Sequence, residues 1–544
     1  FYKEIGGFFL PADKGVDIMQ LLKLTNIRHY VSARLLFEVE HLHVSDKQII
    51  GLVGDNGSGK TNLLKIIEGS VIPEEGVIER NTKIEIVPQL KRISDEKSGG
   101  EITQSYIQDA LNQSAGLLLL DEPTTHLDFK HIDWLKDKLN EFPGAMIIVS
   151  HDREFLSTMC NEIWEVADKK IKVFAGGYQT YIEEKEKLKR HHDLEYEKYE
   201  KKKRQLQEAI KAKEEKATRA TKAPTRKSAS ETGQIGAKPY YANKQKKLRK
   251  TASALETRLE QLEKVEKPAK EEPIRMQVYK EETLKNRIII RGKEVSGSIG
   301  NKTLWQAFSF NISSGEKLGI IGPNGSGKTT LLEKILKQTP GITISPAVKI
   351  AYFTQQLTIL EDHLSILDNV KLSSSQDETT IRTVLARMHF FNDDVFKLVN
   401  VLSGGEKVKL ALAKLFLSDV NVLVLDEPTN FLDINSLQAL EELMQTYQGT
   451  IIFVSHDRTL LENVATQIFS IEDQEVEVFD GTFKEFINRN TEHKRDKIKE
   501  ELMLIENKIA DVLSRLSLEV TPDLEQEFQN LLAQKKKIEA QHNK

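Results

Sequence analysis

The sequence predicts an α/β protein made of one duplicated domain, each copy built on a largely parallel sheet. A long α-helical hairpin is expected between the copies, and a shorter helical extension after the second. Three observations predict this. The same kit of short motifs occurs twice in the same order, as in "LLLLDEPTTHLD" from Leu117 and "VLVLDEPTNFLD" from Val422. Apolar β-branched runs alternate with helical patterns in both halves, the signature of strands joined by crossover helices. Between the halves, residues 183–272 change to a highly charged helical pattern with sparse apolar positions.

The duplication is measurable. Lys60 and Lys328 lie 268 residues apart, and Gln89 and Gln355 lie 266 apart. From the two "SGGE" stretches onward the offset becomes 305, as in Ser98 to Ser403, Asp121 to Asp426 and His151 to His456. The second half therefore carries about 39 additional residues between its glutamine and its SGGE, where the first has only "LKRISDEK".

A chain of 544 residues is too long for one core. The longest apolar runs, such as "AMIIVS", fall well short of the ~18 residues that a membrane span needs, so no span is expected. The single cysteine, Cys160, excludes an intramolecular disulfide and fits a reducing, cytoplasmic setting.

Taken in order, residues 1–18 lack the apolar stretch of a signal peptide. Codons for Lys14-Gly15-Val16 can resemble a bacterial ribosome-binding site, so these residues are expected to be translated leader, with Met19 as the native start; a genuine tail is the other reading. Residues 19–182 form the first α/β domain. The linker, 183–272, places Leu188, Tyr196, Tyr199, Leu206 and Ile210 along one helix. Leu248, Leu255, Leu259, Leu262 and Val265 form the stripe of a second helix, which predicts an antiparallel hairpin with arms of about 30 residues, roughly 45 Å. Residues 273–489 are the second α/β domain. In 490–544, Leu502, Ile505, Ile509, Leu513 and Leu516 form one stripe, and Thr521-Pro522 can open a second helix.

The chemistry sits in matched pairs. "GDNGSGKT" (Gly54, Asn56, Gly57, Ser58, Gly59, Lys60, Thr61, followed by Asn62) fits the phosphate-loop pattern. So does "GPNGSGKT" (Gly322, Asn324, Gly325, Ser326, Gly327, Lys328, Thr329, followed by Thr330). Glycines let backbone N–H groups converge on phosphate oxygens at a helix N-terminus. Lys60 and Lys328 then neutralise phosphate, and Thr61 and Thr329 suit Mg²⁺. Asp121 and Asp426 end buried strands and are expected to hold the same ion. Glu122 and Glu427, one residue on, are placed to polarise an attacking water. A paired-acid strand end can be purely structural; two of them beside two phosphate loops favour catalysis. His151 and His456, each in a "VSHDR" context, can reach the terminal phosphate.

Phosphate loop, glutamine, SGGE, DEPT strand end, LD turn and histidine, in that order, resemble the ATP-binding cassette ATPases over both halves. The resemblance implies two tandem cassettes of the P-loop NTPase fold, ATP and Mg²⁺ as ligands, and Gln89 and Gln355 among the Mg²⁺ and ATP contacts. It further implies a monomer whose two cassettes pair head to tail. Ser403, Gly404, Gly405 and Glu406 would close over ATP at Lys60, and Ser98, Gly99, Gly100 and Glu101 over ATP at Lys328. Tyr30 can stack on adenine in the first half, whereas the aligned residue in the second is Ser298, so the two sites are expected to differ.

Residues 201–250 hold 17 Lys and Arg against 4 Asp and Glu, while the whole chain is −4. Such a basic concentration on an acidic body is a footprint of nucleic acid contact, although a solvated coil is the plain alternative. Candidate RNA contacts are Lys222, Arg226, Lys227, Lys238, Lys244, Lys246, Lys247 and Arg249, with Tyr240 and Tyr241 available for stacking. Two fused cassettes with such a linker resemble the ABC-F family of ribosome-associated ATPases, and the long loop and C-terminal hairpin look like its Vga-type antibiotic-resistance branch. The resemblance implies the 70S ribosome, large-subunit rRNA and P-site tRNA as partners, and displacement of lincosamides, pleuromutilins and streptogramin A compounds. A housekeeping translation factor and the ATPase of an exporter are the competing classes.

Overall fold

A computed structural model describes residues 19–31, 33–89, 99–125, 127–219, 237–265, 287–354, 359–518 and 522–542. The expected leader 1–18, Ser98, Lys222, Arg226, Lys227 and Gln355 lie outside these, and the side chains of Lys238, Tyr240 and Tyr241 are not described. The chain divides into two units. One takes in both halves of the duplication, up to Tyr178 and from Ile274; the other spans Gln179–Pro273.

In the first half, β3 (Ile49–Gly54), β5 (Ile84–Val87), β6 (Leu117–Asp121), β7 (Ala145–Val149) and β8 (Glu162–Ala167) form the parallel core in the order β5-β6-β7-β3-β8. Leu117 to Leu120 are all fully buried, because helices cover both faces of such a sheet and its strands read as continuous apolar runs. Strand β9 (Lys170–Ala175) runs antiparallel to β8 and parallel to β2, and with the antiparallel β1 (Gln20–Val31), β2 (Arg34–Ser45) and β4 (Glu75–Arg80) it extends the sheet to nine. The second half repeats the plan, with β12 (Lys317–Ile321), β15 (Val422–Asp426) and β16 (Thr450–Val454) as adjacent parallel strands. One hydrogen bond recurs in both copies, joining the antiparallel ribbon to the turn of the last hairpin: Glu38 N–H to Lys169 O at 2.7 Å, and Gln306 N–H to Gln474 O at 2.8 Å.

The additional residues of the second half become helices Ile366–Lys371 and Glu378–Arg387 with two short 3₁₀ turns. They bury Ile366, Val370, Ile381, Val384 and Met388 against helix Gly404–Leu417, forming a helical layer beside the signature.

Between the halves run α5 (Tyr178–Arg219) and α6 (Ala237–Glu260). The first is 42 residues, longer than the expected arm, because it starts within the last turn of the first domain and continues through the 182/183 boundary without a break. Covered positions of α5 at 192, 196, 199, 203, 206, 210, 213 and 217, and of α6 at 245, 248, 252, 255 and 259, repeat every three or four residues as in a coiled-coil seam. Leu188, expected on that stripe, is instead 62% exposed.

Helix Phe483–Leu518 likewise runs unbroken through the 489/490 boundary, and the next helix starts at Pro522. Lys535 donates to Glu506 across this pair at 2.6 Å. The seam here passes from Ile509 to buried Val512 and leaves Leu513 exposed, since a supercoiled stripe advances by alternating threes and fours.

Candidate nucleotide sites between the cassettes

In each half the candidate groups come from the carboxyl ends of three adjacent strands, β3, β7 and β6 in the first and β12, β16 and β15 in the second, where open α/β sheets place their ligands. After β3 the chain turns through Gly54–Gly59 into α1 (Lys60–Glu68); after β12 it turns through Gly322–Gly327 into helix Lys328–Leu336. Gly59 and Gly327 cap these helices at φ of 104° and 98°. A Cβ at Gly59 would lie 2.8 Å from Leu36 and Phe37, and one at Gly327 2.5 Å from Trp305. Only glycine meets both demands.

Each loop holds its lysine inward. Lys60 Nζ donates to the carbonyls of Gly54 and Asp55 at 2.7 and 3.0 Å, and Lys328 Nζ to those of Gly322 and Pro323 at 2.9 and 3.1 Å. Burial lowers the pKa of both ammonium groups, with nearby carboxylates opposing it. Thr61 Oγ1 donates to Asp121 Oδ2 at 2.9 Å, and Thr329 Oγ1 to Asp426 Oδ2 at 3.0 Å. These hard oxygen pairs suit Mg²⁺. Ser58 Oγ and Ser326 Oγ are buried with no hydrogen-bond partner, which fits a loop shaped to receive an anionic ligand.

Glu122 and Glu427 leave their strands in the left-handed region, at φ of 54° and 48°. Non-glycine residues are held there at a cost of about 1–3 kcal/mol, and such strain clusters at functional sites. The turn brings Glu122 Oε1 to 3.2 Å from His151 Nε2, and Glu427 Oε1 to 3.4 Å from His456 Nε2. Burial pushes the Glu122 carboxyl up to about 8 and that of Glu427 up to about 7, against the pull of Lys60 and Lys328. Burial, then Lys60, brings His151 down to about 3, so its imidazole is neutral.

The other halves of these sites come from the opposite cassette. Asn56 N–H donates to Asp433 Oδ2 at 3.1 Å, and Asn56 Nδ2 to Phe431 O at 2.7 Å. Asn324 N–H donates to Asp128 Oδ2 at 2.9 Å. A Cβ on Gly405 would lie 3.2 Å from Asn56 Nδ2, so the second signature abuts the first phosphate loop. Ser403 and Glu406 also form a reciprocal cap on their helix: Ser403 N–H donates to Glu406 at 2.8 Å, and Glu406 N–H to Ser403 Oγ at 3.3 Å. "SGGE" therefore carries a local folding role as well as a site role. Gly99, Gly100 and Glu101 open the matching helix Gly99–Leu111. Gln89 lies exposed beyond β5. Tyr30 is half-buried, its N–H bonded to Glu74 at 3.0 Å, and Asn62 Nδ2 lies 3.4 Å from His29 Nε2.

Sequence reasoning missed Asp128 and Asp433 as residues that cross between cassettes. Each serves as the N-cap of its own helix while accepting the opposing loop's amide. The repeated "LD" after DEPT was the available signal.

Two family models, both described as "ABC transporter", match the chain, one at residues 38–96 and 305–430 and the other at 164–249. The Erythromycin resistance ATP-binding protein MsrA of Staphylococcus epidermidis is 34% identical over 480 residues, covering 84% of this chain and 98% of its own. The Ribosome protection protein VmlR of Bacillus subtilis is 30% identical over 568 residues, covering 96% and 100%. The chain belongs to the ABC-F family of ATP-binding cassette ATPases. The ATP-binding protein Uup of Escherichia coli is 34% identical over 388 residues, covering 69% of this chain and 56% of its own. Among solved structures, an archaeal ribosome recycling factor, aABCE1, in complex with a stalk protein, aligns at TM-score 0.57 with 17% identity, over 86% and 92% of the two chains. That likeness is one of fold. As an ABC-F ATPase, this chain binds and hydrolyses ATP. Among the described residues, no helix is long and apolar enough to cross a membrane.

Proposed function

We propose that this ABC-F ATPase is a cytoplasmic ribosome protection factor. It binds the 70S ribosome at the tRNA exit site, directs its linker past P-site tRNA towards the peptidyl-transferase centre, and displaces large-subunit antibiotics. The observation that carries this reading is end-to-end similarity to a relative named as a ribosome protection protein, over 96% of this chain and all of that one. The basic helix supports contact with rRNA: Lys244, Lys246, Lys247 and Arg249 are all exposed.

In this reading ATP closes the two cassettes and hydrolysis releases the factor. Lys60, Thr61, Asp121 and Gln89 hold Mg–ATP in one site, and Lys328, Thr329, Asp426 and Gln355 in the other, with the signature residues of the opposite cassette completing each cradle. Mg²⁺ supplies charge neutralisation at the phosphates. Glu122 and Glu427 orient the attacking water and accept its proton, and the neutral His151 and the matching His456 sit against the carboxylates and face the terminal phosphate.

The test is drug tolerance in a susceptible bacterium. Expression should raise tolerance to at least one of the lincosamides, pleuromutilins and streptogramin A compounds, with erythromycin added to the panel because one relative is named for it. Shortening Ser228–Gly236, outside the described residues, should abolish that tolerance while ATP hydrolysis persists. No tolerance to any drug, together with rescue of stalled translation, would establish the housekeeping reading instead.

A further inference from the structure

The two composite sites share an aspartate that accepts the opposing loop's amide, yet they hold it differently. Lys409, on helix Gly404–Leu417, donates to Asp433 Oδ2 at 3.1 Å, and both side chains are almost fully buried. Ser436 Oγ and N–H donate to the other oxygen at 2.5 and 2.9 Å. Burial alone would raise Asp433, but Lys409, Ser436 and the Asn56 amide outweigh it and hold the carboxyl well below the usual range.

In the first cassette the residue 305 positions before Lys409 is Gln104, and the one matching Ser436 is His131. Asp128 accepts from the His131 ring at 2.6 Å and from the His131 amide at 3.0 Å, and no bond reaches it from Gln104. Asp128 is thus held from within its own helix. Asp433 is tied by a fixed cation to the helix that begins with the signature. A second difference points the same way: Asn435 donates to Asp55 at 2.7 Å, and Pro323, at the position of Asp55, has no carboxylate to offer.

We propose that Lys409 is a positioning residue. It couples the Ser403–Glu406 signature, through Asp433, to the phosphate loop around Lys60, and the site around Lys328 has no such coupling. ATP capture at the first loop then depends on Lys409, and capture at the second does not. Lys60, Asp55, His151 and His389 face the same charge cluster, so the lysine also balances the local field.

This rests on both loops being ATP sites, which labelling of the unmodified protein reports separately. The experiment is photolabelling of the full chain with 8-azido-ATP and Mg²⁺ below saturation, with peptides from each cassette quantified by mass spectrometry. Losing one partner of a buried charge pair is a large effect, so Lys409→Met should cut labelling of the first cassette by about tenfold while the second stays within about twofold. Lys409→Arg, which keeps the cation, should restore the first site. Equal loss at both cassettes, no loss at the first, or no recovery with arginine would overturn the proposal. Should the methionine variant fail to fold, Gln104→Lys with His131→Ser copies the second arrangement into the first cassette. That protein should label its second loop at least about threefold more strongly, and unchanged labelling would equally overturn it.

Discussion

At the scale of single residues, the paired glutamates set the sharpest expectations. Glu122→Gln with Glu427→Gln keeps the shape of each side chain but removes the proton acceptor and the negative charge. ATP binding should persist while turnover falls by about 10²–10⁴-fold, measured as phosphate release. An unchanged rate would remove both residues from the chemistry. The same acids shape stability in the nucleotide-free protein. Their folded pKa values, about 8 and about 7, lie above the ordinary 4.5, so the folded state holds protons that the unfolded chain has released. Stability should therefore fall as pH rises from about 4.5 to about 8. The double glutamine protein should show a flatter profile in that window and a higher Tm at pH 8. Thermal unfolding across pH, without nucleotide, is the measurement.

At the scale of elements, the interface between cassettes is held unequally on its two sides. Arg153, at the start of helix Arg153–Met159, pairs with Glu441 of helix Ile434–Thr446, and both side chains are almost buried. The matching Arg458 reaches Glu154 at 2.9 Å and Asp133 at 3.3 Å, with all three side chains about a third exposed or more. Removing one partner of a buried pair strands the other charge, whereas exposed pairs contribute little. Arg153→Ala should cost about 2–4 kcal/mol of stability, and Arg458→Ala about 1 kcal/mol or less. Equal losses on chemical denaturation would refute the asymmetry.

The same comparison shows what a sequence makes legible. Phosphate loops, DEPT strand ends and SGGE caps each impose a backbone geometry on adjacent residues, so each can be recognised from a short stretch. The Arg153–Glu441 and Asn56–Asp433 contacts are different in kind. Arg153 and Glu441 lie 288 residues apart, and their meeting depends on how two finished domains dock. Nothing local marks it. The helical stripes fall between these cases: the spacing predicts their existence, but Leu188 and Leu513 lie off the seams, because a drift of one residue moves a side chain from the covered face to the open one.

At the scale of the whole molecule, the question is what the acidic cassettes deliver by way of the basic linker. The exposed Lys244, Lys246, Lys247 and Arg249 flank the covered seam positions 245 and 248, so they are available to an outside partner. They belong to the unit Gln179–Pro273, whereas both phosphate loops belong to the other. Replacing all four by glutamine should leave ATP turnover of the isolated protein within about twofold, since no catalytic group is altered. Binding to ribosomes should weaken. Phosphate contacts release counterions, each adding about 0.7–0.9 to the slope of log affinity against log salt, so four lost contacts should reduce that slope by roughly 3. Co-sedimentation of the Glu122→Gln, Glu427→Gln protein with ribosomes and ATP over a salt series measures both quantities. A slope and affinity equal to those of the unsubstituted linker would mean that these four cations face only water, and the path to rRNA would have to be sought elsewhere on the chain.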